Sequence, residues 1–534
     1  MLISGSLEGD LTVMSEKVLS QNKPVICLVS PTSRATSTVI PHALFVLDSW
    51  LGGENIPSEI IDIKRNPYMM LRKRDEQAII DEIIARLKIS KPSYVGLTAT
   101  TPEFLKVMEL ATKIKAQIGS KIIIGGVHAS IQPEDFLQQG SSVDFVVVGD
   151  GEETLAELLR MDMCGESLNN VAGLAFRDGK RILMTERRQP FKDLDKLSML
   201  AYHKIDMSYY TKPYRGLIRP LLLRGVHIFT TRGCSYSCTF CANRARVIRM
   251  RTVEKVLEEI GFLKNTYDID GFYILDDTFC IEGQRVSDFT EKLQAMNLGL
   301  IWGAETRVNL INDRMLEGMR KSGCLQIDFG VESGSQIVLD RMKKGIKIEQ
   351  IERAFALCHK NKIRTFANIM FNTPGETVRD VVETIKLLKR IKSSAYGINL
   401  TVPFPGTLIY EEYVKNRMTS DEYYLFEHPD IYSTIVDPRF RLAEHNMDLD
   451  LLYLRQRIRF EIFKSFMPFS LGRVYLRMLF TSRWKRQYFQ EFWRWLWRHF
   501  CVLIKYGVRL VLLFLCHLFR VFRDRGMSKS VVTF

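Results

Sequence analysis

Short apolar runs recur along the first 400 positions, each followed by a longer stretch whose apolar residues fall at helical spacing. In the first third, strand-like runs are expected at 24–29, 59–63, 94–98, 121–124 and 145–148. Helices are expected at 42–51, 77–87, 102–118 and 155–161. The runs are continuously apolar rather than alternating, the mark of strands buried on both faces. Strands of this kind alternating with helices imply a parallel, doubly wound sheet with its ligand site at the carboxyl ends of the strands. A strand pair around 173–176 and 181–184 follows, joined by Arg177-Asp178-Gly179-Lys180, a good hairpin turn, and then an irregular linker to 222.

The alternation resumes further on, with strands at 226–229, 271–275, 300–304, 325–330, 365–371 and 397–402. Helices at 252–265, 286–296, 315–322, 348–361 and 378–391 separate them. Six such units make a partial (β/α)6 TIM-like barrel, with polar residues gathered at the carboxyl ends where barrel enzymes hold their sites. The expected fold class is α/β: an N-terminal Rossmann-like domain with linker over 1–200, the barrel over 201–430, and a helical, basic, aromatic region over 431–534.

Charge sharpens the last boundary. The chain of 534 residues carries a formal net charge of +14. Residues 451–534 hold 17 Lys/Arg and 3 Asp/Glu, so the whole excess lies in the tail and the rest is neutral. This argues against a chain-wide nucleic-acid role and for a tail with an anionic partner. Trp484, Trp493, Trp495 and Trp497 lie there, and 500–519 is mostly apolar, interrupted by Lys505, Arg509 and His517. A basic, aromatic helix of this kind fits the surface of a membrane. A docking helix is the alternative, and the charges argue against spanning. The first 30 residues show no export signal, so a cytoplasmic protein is expected, peripheral on the inner face of the membrane.

Candidate chemistry concentrates just after the strand at 226–229. Cys234, Cys238 and Cys241 form a C-x3-C-x2-C spacing in a tight loop that Gly233 lets turn. Thiolates suit zinc or iron–sulfur clusters. Three of them on a [4Fe–4S] cube leave one iron open to a substrate. A zinc site completed by His203 or His227 and three buried core cysteines remain the alternatives. Cys280, Cys324 and Cys358 are expected to be small buried hydrophobes.

The C-x3-C-x-F-C form, with Phe240 before the last cysteine, resembles the radical S-adenosylmethionine (SAM) superfamily. The resemblance implies that Cys234, Cys238 and Cys241 hold a [4Fe–4S] cluster whose open iron binds SAM, and that one electron cleaves SAM to methionine and a 5′-deoxyadenosyl radical. It implies SAM contacts at Asp276, Asp277, Glu332 and Ser333, with capping of the next helix as the other reading of Asp276 and Glu332. It places 374–377 and 403–407 near the substrate. Asn372 stands where the family has Gly. Arg307 reads as a substrate clamp or an ion-pair residue.

The first third is similar to cobalamin-binding domains fused to radical SAM domains, on Gly125-Gly126-x-His128-Ala129-Ser130 and Gly149-Asp150-Gly151-Glu152-Glu153. That resemblance implies a cobalamin site at Thr98, Thr100, Gly125, Gly126 and Gly149. The loop at 30–36 lacks the cobalt-ligating His of many such domains, and His128 is expected to pack rather than ligate.

Together these features point to a cobalamin-dependent radical SAM methyltransferase acting on an unactivated carbon. The substrate is expected to be a small molecule, lipid-like or a tetrapyrrole, with reduction by a flavodoxin- or ferredoxin-type donor and no nucleic acid. Cyclisation or rearrangement with the same cofactors is the nearest alternative. A non-catalytic cobalamin or metal sensor is the alternative from another class.

Overall fold

A computed structural model describes residues 23–30, 39–63, 73–197, 199–219, 221–242, 247–426, 438–466, 486–490, 493 and 497. The expected loop at 31–36, Trp484, Trp495 and the apolar tail at 500–519 lie outside the described residues.

The first sheet contains β1 (Ile26–Val29), β2 (Ser58–Ile61), β3 (Tyr94–Thr98), β4 (Lys121–Gly125), β5 (Phe145–Val147), β6 (Leu174–Asp178) and β7 (Arg181–Met184). Its order is β2-β1-β3-β4-β5-β6-β7. The first five strands are mutually parallel. Both faces are covered, by α1 (His42–Gly53), α2 (Lys73–Ser90), α3 (Phe104–Ile118) and α4 (Glu152–Cys164). That double cover is why the strands read as unbroken apolar runs. The expected strand pair is not a separate unit. β6 runs antiparallel beside β5 and β7 beside β6, which extends the sheet by an edge.

The second sheet holds β10 (Gly225–Ile228), β13 (Gly271–Ile274), β14 (Ile301–Thr306), β15 (Cys324–Glu332), β16 (Arg364–Phe371) and β17 (Ala395–Leu400). They pair in that order, all parallel. The connecting helices are α5 (Val253–Tyr267), α6 (Gly283–Ala295), α7 (Asp313–Lys321), α8 (Ile348–Lys360) and α9 (Val378–Ile391). Trp302, fully buried between sheet and helices, stacks on Phe272 at 6.0 Å and meets Phe279 and Phe289 edge-on. Cys280, Cys324 and Cys358 share this core. Burial pushes the Cys280 and Cys358 thiols up to about 12, as expected of inert small hydrophobes.

Three features escape the sequence pattern. The linker contains a hairpin, β8 (Tyr214–Ile218) and β9 (Leu221–Leu223), whose leucines pack with Tyr273, Leu275, Ile301 and Leu325. Those partners lie on the strand face opposite the helix-covered core, so the hairpin plugs the inside of the barrel. A two-residue ribbon, β11 (Thr231–Arg232) with β12 (Arg249–Met250), closes the loop that carries the three cysteines. Finally, the chain leaves the barrel through α10 (Leu408–Tyr413), and Tyr410, Val414, Met418, Tyr423, Phe426 and Phe440 join the core of the first sheet.

The start of the basic tail is a docking helix. α11 (Met447–Phe466) buries Leu449, Tyr453 and Phe460 in the barrel core. Tyr488 is 2% exposed and donates to Asp270 Oδ2 at 2.7 Å. Beside it, Phe489, Trp493 and Trp497 stand exposed at four-residue spacing. Among the described residues no helix is long and apolar enough to cross a membrane.

Candidate active site

The cysteine loop is built by its flanks. β10 runs into Thr230, and the β11–β12 ribbon then turns the chain at Gly233, whose φ of +94° suits glycine. Asp276, at the end of β13, accepts from the Thr230 amide at 2.6 Å, the Thr231 amide at 3.1 Å and the Thr230 hydroxyl at 2.5 Å. It is 1% exposed, and both oxygens are used in pinning the strand that leads to the cysteines. Asp277 beside it faces solvent. Further along, the Thr239 amide donates to Met342 O at 3.0 Å, and Thr239 O accepts from the Ile409 amide at 3.3 Å. The loop is thus tied at both ends and in the middle.

Cys234 and Cys238 are partly exposed and Cys241 is exposed. Cys234 Sγ lies 3.7 Å from the Thr278 hydroxyl, and Arg307 Nη1 donates to Cys238 Sγ at 3.8 Å. Among the described residues no three His, Cys, Asp or Glu side chains converge on one point as a single metal ion requires. A cubane draws each thiolate to a different iron, so accessible thiols spread along one loop match its needs.

Glu332, at the end of β15, has φ +62° and forms a buried ion pair with Lys344 at 2.7 Å. A non-glycine residue held there stores strain, which gathers at functional sites. A Cβ at Gly330 would come within 2.5 Å of Lys344 Nζ and 2.6 Å of Glu332 Oε1, so a side chain there would displace the pair. Ser333 is fully buried, its hydroxyl 3.2 Å from Thr384 Oγ1. Phe240 lies under Lys344 Nζ, 5.8 Å from the ring centre.

The barrel interior holds residues that no motif marked. Tyr273, Glu305, Gln326 and Asp328 lie on the strand face opposite the helix-covered core. Tyr273 donates to Glu305 Oε1 at 3.4 Å, and Gln326 to Asp328 Oδ1 at 2.9 Å. Burial, with Asp328 nearby, pushes the Glu305 carboxyl up to about 7. The signal available in sequence was the two-residue alternation of Gln326 and Asp328 within an apolar strand.

At the carboxyl ends of the first sheet, Gly125 and Gly149 open onto space with nothing within 4 Å of an added Cβ. A bulky planar ligand can approach the backbone there. Gly126 differs: with φ +103°, its Cβ would strike Thr98 Oγ1 at 2.6 Å and Ala99 O at 2.8 Å. The Thr100 hydroxyl donates to Glu103 at 2.7 Å and caps the following turn. His128 is fully buried among Phe104, Phe136 and Tyr423, with Nδ1 3.1 Å from Thr101 Oγ1. It packs.

The carboxyl ends of the two sheets meet. Arg232, next to the cysteine loop, pairs with Glu152, the first residue of α4, at 2.7 Å and with Asp150, in the loop after β5, at 3.6 Å. Arg249 across the ribbon also pairs with Asp150. Gly406, beyond β17, packs on Ile131, beyond β4.

The profile of the Radical SAM superfamily matches residues 228–388, which begin in the strand before the cysteine loop and end within α9. This part of the chain is a radical SAM domain. A B12 binding domain matches residues 32–159, the span of the first sheet's parallel strands after β1. This radical SAM enzyme uses a [4Fe–4S] cluster, SAM and cobalamin.

It is 28% identical over 366 residues to an uncharacterized methyltransferase of Pyrococcus horikoshii, covering 65% of this chain and 77% of that protein. It is also 28% identical over 347 residues to the anaerobic magnesium-protoporphyrin IX monomethyl ester cyclase of Rubrivivax gelatinosus, covering 62% of this chain and 60% of the cyclase. The radical SAM methyltransferase TsrM of Kitasatospora setae shares the fold, with a TM-score of 0.62 at 20% identity over 73% of this chain and 76% of that one.

Proposed function

We propose that this enzyme methylates an unactivated carbon of a flat small molecule, of tetrapyrrole or lipid-like class. The observation that carries the reading is the meeting of the two carboxyl-end faces through Arg232, Arg249, Asp150 and Glu152. Cys234, Cys238 and Cys241 are assigned to the cluster. Gly125 and Gly149 are assigned to the open floor under cobalamin, with Thr98 and Gly126 shaping it. When bound, the cofactors supply a SAM-derived radical and a transferable methyl group. The protein's own work is to hold both against one substrate and to exclude water between them.

Asp276 holds the cysteine loop in place, and Glu332 is locked by Lys344 beside Phe240. Asp277, exposed at the end of the same strand as Asp276, is assigned to the SAM ammonium. The substrate class rests on two supports. One is the tetrapyrrole named for the Rubrivivax gelatinosus relative. The other is the exposed row of Phe489, Trp493 and Trp497 leading into the basic tail, which suits a membrane surface.

The test is anaerobic incubation of the full chain with cobalamin, a reductant of flavodoxin type, methyl-labelled SAM and tetrapyrrole or lipid candidates. Label in a product together with 5′-deoxyadenosine is expected. 5′-Deoxyadenosine with an unlabelled, altered product supports the second reading, ring formation, which the cyclase relative favours. No 5′-deoxyadenosine refutes both. Removing residues 467–534 is expected to lower binding to anionic vesicles, and unchanged partitioning removes the membrane part.

A further inference from the structure

Arg307 closes β14 and is 5% exposed. Its guanidinium lies 3.5 Å from the centre of the Tyr236 ring, within the cysteine loop. Nη1 donates to Cys238 Sγ at 3.8 Å, Nε donates to Asn309 Oδ1 at 3.4 Å, and Nη2 donates to the Lys344 carbonyl. Asn309 in turn donates to the Tyr236 hydroxyl at 3.5 Å. These partners are an amide, a carbonyl, an aromatic face and a cysteine. Among the described residues no carboxylate stands within ion-pair distance of Arg307. Glu332, at the end of β15, is paired with Lys344.

A buried cation without a counter-charge is costly, and proteins do not keep one without a compensating anion. The group positioned to supply that anion is Cys238, as a thiolate bound to iron. We propose that Arg307 is the counter-charge of the cluster, a positioning residue that both steadies the Tyr236–Cys238 segment and raises the cluster's reduction potential. The inference rests on assigning the cluster to Cys234, Cys238 and Cys241.

One electron passes from an external low-potential donor of flavodoxin or ferredoxin type, the donor is oxidised by one electron, no bond breaks and no proton moves. Reduction makes the cluster more negative, so a fixed guanidinium hydrogen-bonded to one of its sulfurs favours the reduced state. Net charge and hydrogen bonds to sulfur are the levers by which proteins tune such potentials. The interaction is also sheltered: a buried guanidinium is screened far less by salt than a surface one.

The experiment is anaerobic reconstitution of the full chain and its Arg307→Gln and Arg307→Lys variants, reading iron content and the midpoint potential by EPR-monitored titration without SAM. Arg307→Gln is expected to lower the equilibrium constant for reduction at least tenfold, which is about 59 mV for one electron. Arg307→Lys, which keeps the charge, is expected to stay within threefold of wild type. A Gln variant that carries its cluster at the wild-type potential overturns the proposal. If the Gln variant binds no iron, the Lys variant decides: loading at the wild-type potential supports the counter-charge, and failure to load overturns it. Wild type that takes up no iron refutes the assignment of the cluster, a result distinct from any difference among variants.

Discussion

Asn372 offers a quantitative test of how the chain after the barrel is fastened to its mouth. It lies just past β16, fully buried, with φ +61°. Its Nδ2 donates to the carbonyls of Thr401 at 3.2 Å and Phe440 at 2.6 Å. Its Oδ1 accepts from the amides of Leu442 at 3.1 Å and Ala443 at 3.4 Å and lies 2.8 Å from His445 Nε2. The backbone joins in, with Gly375 N donating to Leu442 O and Glu444 N to Glu376 O. Replacement by Gly keeps the left-handed backbone and deletes the amide. Counting two of the five groups as left without a partner, at 1–3 kcal/mol each, the loss is about 3 kcal/mol. Replacement by Ala loses the same contacts and adds about 1 kcal/mol for a Cβ at positive φ.

A chain of several domains does not melt in one step, so the assay must be local. Hydrogen exchange across residues 438–453 reads the opening of this segment directly. About 3 kcal/mol is roughly a hundredfold loss of protection in Asn372→Gly, with a further fewfold loss in Asn372→Ala. Protection within threefold of wild type in both variants would refute the role given to this amide. Equal loss in both would refute the backbone part alone.

Four further outcomes are expected. Burial pushes the Glu376 carboxyl, bonded to Tyr453 at 2.5 Å, up from 4.5 to about 8. A raised acid stabilises the fold most below its unfolded pKa, so stability falls from pH 4.5 towards 8, on the order of 5 kcal/mol in all. Protection of 438–453 should therefore drop between pH 6 and pH 9 in wild type but not in Glu376→Gln, and identical pH profiles would be evidence against it. Asp276→Ala releases Thr230 and Thr231 and should weaken iron uptake by about tenfold or more, read by titration with iron and sulfide. Gly271→Ala sets a Cβ 2.1 Å from Ile301 O and so must part β13 from β14. Its expected result is little soluble protein, and a normal yield with an unchanged melting profile argues against the tight pairing. Arg232→Ala frees Glu152, which is 3% exposed, and should increase exchange in residues 150–153 while Trp302 fluorescence stays unchanged.

Much of this protein was legible without coordinates, and the reason is local. Parallel strands covered on both faces must be apolar throughout, so β1 to β5 and the six barrel strands announced themselves with their order along the chain. The cysteine spacing pointed to the three-thiolate loop, because ligands from one turn must be close in sequence, and the cluster, SAM and cobalamin followed by resemblance. The departure of Asn372 from glycine was visible, but not its meaning, since the five groups it serves lie as far as residue 445.

What tertiary structure decided are the contacts between distant residues. The leucine hairpin of β8 and β9 looked like linker because a plug has no period of its own. Asp276, read as a ligand contact or a helix cap, also bonds Thr230 and Thr231. Arg307 reaches Cys238 across the barrel, and Arg232 reaches Glu152 across two sheets. Patterns along a chain record which face of an element is buried; they do not record which other element buries it. That pairing is set only when the sheets close and their carboxyl ends come to face each other.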